Sequence, residues 1–159
     1  MTLIIDGYNL LHASGVFGAE RGPRGFEQSR LRLLDLLADL LGPEAAKTIV
    51  VFDAANAPDG LPGRHVHRAL RVWFAREYPD ADSLIEELVA DDHAPQSLVV
   101  VSGDRRLQAA ARRRRATAVD CEAWLAEMKA RSRPRDDLDA KPADPGPHDV
   151  EAWKRYFGL

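Results

Sequence analysis

The chain has 159 residues, is 45% hydrophobic and 30% charged, and carries a formal net charge of −3. That length suits one domain with a real core, and the charge balance excludes a uniformly basic nucleic-acid binder. The single cysteine, Cys121, excludes an internal disulfide, and no apolar run reaches the roughly 20 residues of a bilayer span.

Residues 2–6 read as a short buried strand entered at once, without the pattern of a signal peptide, so a cytoplasmic protein with no membrane partner is expected. A Gly-rich loop follows, with Gly15, Gly18, Gly22, Pro23 and Gly25. Residues 26–41 are helical by the spacing of Leu31, Leu34, Leu37 and Leu41, and Gly42-Pro43 stops them. Residues 47–53 form a second buried strand and 54–64 a loop. Residues 65–74 alternate Val66, Arg68, Leu70, Val72 and Phe74, as one strand nearer the sheet edge does. Residues 81–91 form a helix with Ala81, Leu84, Ile85, Leu88 and Val89 on one face. A strand at 97–101, a helix at 104–115, a strand at 116–119 and a helix at 121–131 complete the pattern. This alternation predicts an α/β, Rossmann-like three-layer fold with a mostly parallel central sheet. The domain should span 1–131. Residues 132–159 read as a Pro-, Asp- and Arg-rich linker and a tail helix packing Trp153 and Phe157 on the domain.

Three acids follow apolar runs: Leu3-Ile4-Ile5 leads to Asp6, Ile49 to Phe52 leads to Asp53, and Leu98 to Gly103 leads to Asp104. A fourth, Asp82, opens a helix, with Glu86 one turn further on the same side. In an α/β sheet, strand-end carboxylates collect at one edge, where ligands bind. Like charges held together there call for a cation. All-oxygen donors suit Mg²⁺ or Mn²⁺, and one cysteine with scattered histidines does not suit zinc. Asn9 adds a neutral oxygen and an amide donor beside Asp6, and Ser102 can hold a ligand water. Such ions serve phosphodiester hydrolysis without a covalent nucleophile. Tyr8, two residues after Asp6, disfavours an aspartyl-phosphate route, which wants a second Asp there. No Gly-x-Gly-x-x-Gly or phosphate loop points to nucleotide binding.

The ordered set Asp6-Gly-Tyr-Asn9, Val51-Phe-Asp53-Ala, Ala81-Asp82-Ser-Leu-Ile-Glu86 and Val101-Ser-Gly-Asp104 resembles the NYN domain of the PIN-like nuclease superfamily, in its YacP-like bacterial branch. The resemblance covers roughly residues 1–131 and extends to the Trp153–Phe157 tail. It implies a metal-dependent endoribonuclease, with mRNA cleavage associated with the ribosome. It also implies Asp6, Asp82 and Asp104 as metal ligands, Asn9 beside them, and Asp53 and Ser102 in support. Pro79-Asp80 departs from the Thr or Lys that related sequences place before the Ala-Asp pair.

Each residue also has a plainer reading. Asp82 and Asp104 can serve as helix caps, Asp53 as a turn residue, and Glu86 as a surface acid paired with a neighbour. Arg21, Arg24 and Arg64 lie in loops able to steer RNA phosphates, and Tyr8 can stack on a base or pack in the core. Arg112 to Arg115 read as a solvated helix end or as an RNA contact. Cys121 reads as an inert packing residue. A non-catalytic RNA- or ribosome-binding module on the same fold is the alternative to the enzyme.

Overall fold

The structure, a computed structural model, describes residues 1–15, 23–56, 60 and 62–132. The strands are β1 (Thr2–Asp6), β2 (Thr48–Phe52), β3 (Arg64–His67), β4 (Leu70–Phe74), β5 (Leu98–Val101) and β6 (Thr117–Val119). The helices are α1 (Gly7–Ser14), α2 (Pro23–Leu41), α3 (Ala81–Asp91), α4 (Arg105–Arg113) and α5 (Cys121–Arg131). The sheet order is β3-β4-β2-β1-β5-β6, parallel except for the antiparallel β3–β4 pair.

Period-2 alternation in the strands builds two cores. Leu3, Ile5, Val50, Phe52, Val72 and Val101 face α1, α2 and α5. Ile4, Ile49, Val51, Leu98 and Val100 face α3 and α4. Because both faces are covered, the central strands are continuous apolar runs, as parallel sheets require. The predicted α/β three-layer architecture is therefore present.

Three local expectations are corrected. The stretch after Asp6 is not loop: Gly7–Ser14 is helical, buries Leu10 and Leu11, and ends at Gly15 in the left-handed region at φ 71°. Glycine content masked this short helix, and Gly7 is small for a packing reason. A Cβ there would meet the Phe52 ring at 2.6 Å. Second, residues 65–74 are not one strand but a hairpin. Arg68 and Ala69 both take positive φ, 47° and 74°, which is two-residue turn geometry without the usual Asn-Gly signal. Arg68 then pins the hairpin to α2 through Asp35 and Asp39. Third, Leu31 is 38% exposed, and Leu33 joins Leu34, Leu37 and Leu41 in the buried stripe of α2. The predicted tail helix, with Trp153 and Phe157, lies outside the described residues, as does Arg21.

Candidate active site

Asp6 ends β1 and is 6% exposed. Ser102, fully buried at the end of β5, donates its hydroxyl to Asp6 Oδ2 at 3.0 Å. The same hydroxyl accepts the Asp104 backbone N–H at 3.0 Å, so one serine ties two strand-end acids together. Asp104 also caps α4, accepting the Arg106 N–H at 2.8 Å. Asn9, in the first turn of α1, accepts the Gly103 N–H at Oδ1 over 3.1 Å. Its carbonyl is thereby bound, and its amide nitrogen remains the group able to donate. Gly103 must be small, because a Cβ would sit 3.0 Å from Asn9 Oδ1 and 3.1 Å from Asp120 Oδ1.

Asp82 comes from the first turn of α3 and lies within hydrogen-bonding reach of Asp104. Burial first, then the Asp104 contact and the charge of Asp6, push its carboxyl up to about 7. Burial likewise raises Asp6 to about 6, opposed by the Ser102 hydroxyl and the Asn9 backbone amide and assisted by Asp104 and Asp53.

The remaining predicted residues are placed unequally. Asp53 accepts the Ala81 N–H at 2.6 Å, so it fixes the start of α3 and through it Asp82. Asp80, the departure noted above, caps the same helix through the Ser83 N–H at 2.7 Å. Glu86 is bound by Arg106, whose Nε donates to it at 2.6 Å, so the plainer reading of a paired acid describes its geometry. Tyr8 is 39% exposed, stacks on Phe26 and packs edge-on to His12. It lines a cavity of about 390 Å³ with Asn9, His12, Asp120, Cys121 and Glu122. Arg64 sits on the edge strand β3, its guanidinium 3.9 Å above the Trp73 ring, with β4 and β2 between it and β1. The side chain of Arg24 is outside the described residues. Cys121 is buried with its thiol pushed up to about 12 by burial, in keeping with an inert packing role.

Two site residues escaped the sequence reading. Asp120 follows β6 as Asp53 follows β2, and the same strand-then-acid signal marks it, in a strand of only three residues. Arg106 links Glu86, Ser83 and Asp80 across α3 and α4, a contact no spacing rule predicts.

No curated protein matches the chain. Among solved structures, a point mutant of Rae1 (YacP) from Bacillus subtilis aligns at 26% identity and TM-score 0.62 over 95% of this chain and 89% of that one. Rae1 (YacP) from Bacillus subtilis without the mutation aligns at 24% identity and TM-score 0.67 over 99% and 88%, a likeness of fold. The sequence itself matches the YacP-like NYN domain over residues 3–149, which is most of its length. With strand-end acids, a doubly covered parallel sheet and this match in agreement, the chain belongs to the YacP-like NYN domain family.

Proposed function

We propose that the protein is an endoribonuclease that hydrolyses RNA phosphodiester bonds with Mg²⁺ or Mn²⁺ held by Asp6, Asp82 and Asp104. The observation that carries this reading is the convergence of acids at one sheet edge: the Ser102 hydroxyl ties buried Asp6 to the Asp104 backbone, and Asp82 lies within reach of Asp104. Membership of an NYN family of PIN-like nucleases supports a nuclease-type action on RNA. The resemblance adds mRNA as substrate and the ribosome as partner, and the single cysteine fits the cytoplasm as setting. Among the described residues no helix is long and apolar enough to cross a membrane.

The donors fit a hard divalent ion, since every one is an oxygen. Among the described residues no three His, Cys, Asp or Glu side chains form a ready cluster for an ion. Mg²⁺ is commonly held by one or two carboxylates, with waters and substrate phosphates completing its shell, so the proposed ion would take its remaining ligands from water and RNA. When bound, the ion offsets phosphate charge and lowers the pKa of a water. Asp6, Asp82 and Asp104 would hold the ion; Ser102 fixes the Asp6 carboxylate and the Asp104 backbone, and Asp53 fixes the start of α3 that carries Asp82. The amide nitrogen of Asn9 donates to a phosphate oxygen. Water adds to phosphorus as the bond to the leaving oxygen breaks, and the proton released by the water ends on that leaving oxygen. Tyr8 stacks on a base beside Asn9, and Arg64 meets phosphate farther along the edge.

The test is cleavage of a labelled single-stranded RNA with Mg²⁺, Mn²⁺ or EDTA, comparing the native chain with Asp82→Asn. Chelation should abolish cleavage, and the variant should lose on the order of 100-fold or more. Cleavage indifferent to both changes overturns the proposal. RNA binding without turnover by the native chain makes it a binding module instead.

A further inference from the structure

We infer that the solvent face of α4 is a track for the phosphate backbone of the RNA strand being cut, leading away from the catalytic carboxylates. This rests on the nuclease reading above. Leu107, Ala110 and Ala111 face the core, which turns Arg105, Ala109, Arg112 and Arg113 outward together, at the i, i+4, i+7 and i+8 spacing of one helical stripe. The stripe starts one residue after Asp104 and runs about 12 Å to Arg113. Ala109 leaves a low saddle between the arginines in which an extended backbone can lie.

Charge pairing separates these arginines from their neighbours. Arg106 is bound by Glu86, and Arg114 donates to the Val89 and Asp92 carbonyls. Arg105, Arg112, Arg113 and Arg115 are exposed and make no ion pair or side-chain hydrogen bond among the described residues. Four unneutralised cations on a chain of net charge −3 form a local field complementary to a polyanion. A solvated helix end explains the last two residues of a helix better than it explains Arg105 at its start.

Arg115 adds an independent observation. It follows the helix with φ 62°, in the turn closed by the Arg115 N–H to Arg112 O and the Ala116 N–H to Ala111 O. That position favours glycine, because a Cβ is strained there. A cation stands where backbone geometry asks for none.

The experiment measures binding of a single-stranded RNA oligonucleotide, in EDTA across a range of salt, to four variants and the native chain. Arg105→Gln/Arg112→Gln/Arg113→Gln together should weaken binding tenfold or more and flatten the slope of log affinity against log salt by about 2. Ala109→Glu, whose carboxylate lies four residues from both Arg105 and Arg113, should weaken binding while the helix stays stable. Arg115→Gly should raise the melting temperature by about 2–4 °C and still bind less tightly. Arg32→Gln, an exposed arginine on α2, should bind as the native chain does. Native affinity and slope in the triple variant overturn the track. If cleavage by the native chain is then EDTA-sensitive, the nuclease reading survives alone. Loss confined to a folded RNA hairpin also overturns the track, because the surface then serves a different RNA. Weakened binding with EDTA-insensitive cleavage keeps the track and removes the nuclease reading.

Discussion

At the residue scale, burial has a larger effect on Asp6 than any neighbouring charge does. Its carboxyl moves from 3.8 to about 6, so between these values the folded chain binds more protons than the unfolded one. Stability therefore falls as pH rises through that window and levels off above it. The shift corresponds to roughly 2–3 kcal/mol at neutral pH. Asp6→Asn keeps an oxygen for the Ser102 hydroxyl and removes the charge. Thermal melts in EDTA should show the variant more stable than the native chain near pH 7.5, with the gain shrinking as pH falls through the window and vanishing only below about pH 3.8, while RNA cleavage is lost. A native chain whose stability is flat over that range would contradict this. The strand-then-acid pattern made Asp6 and Asp104 legible in the sequence. Ser102, joining them at 3.0 Å, was legible only as a neighbour, because its partner is 96 positions away.

At the element scale, α3 carries Asp82, and its start is held from outside by Asp53 and from within by Asp80. Asp53→Ala leaves the Ala81 N–H without its acceptor and should cost about 1 kcal/mol. It should also lower kcat by displacing Asp82, and Asp53→Asn, which keeps an acceptor, should recover most of both losses. Denaturant titration and initial rates on RNA separate the two effects; equal behaviour of Ala and Asn would deny the positioning role. The β3–β4 hairpin offers a second test. Ala69 has φ 74°, so Ala69→Gly relieves strain and should add about 0.5–1 kcal/mol of stability without altering cleavage. Helix α3 was readable to the residue because its apolar stripe and flanking acids agree. Helix α1 was not: its two buried leucines are too few to outweigh nearby glycines, and only the sheet surface gives them a partner.

For the whole molecule, the sheet order places β1 between β2 and β5, where the chain switches direction of growth. Open parallel sheets bind ligands at such a switch point, outside the carboxyl ends of the strands. Asp6, Asn9, Ser102 and Asp104 straddle it, and α3 and α4 bring Asp82 across. An ion bound there stabilises the folded chain by mass action. Mg²⁺ or Mn²⁺ should raise the melting temperature of the native chain in a concentration-dependent way and should raise that of Asp82→Asn much less. Equal shifts would place the ion elsewhere. Strand-end acids, alternating elements and continuous apolar strands are local patterns, so the sequence by itself determined an α/β sheet with carboxylates at one edge. Partnership is not local. That Glu86 is bound by Arg106, that Asp53 serves α3, and that Asp120 stands beside Asn9 through Gly103 depends on which strand ends the sheet order brings together. The tertiary structure decides these contacts, because hydrogen bonds and charges act over a few ångströms regardless of separation along the chain.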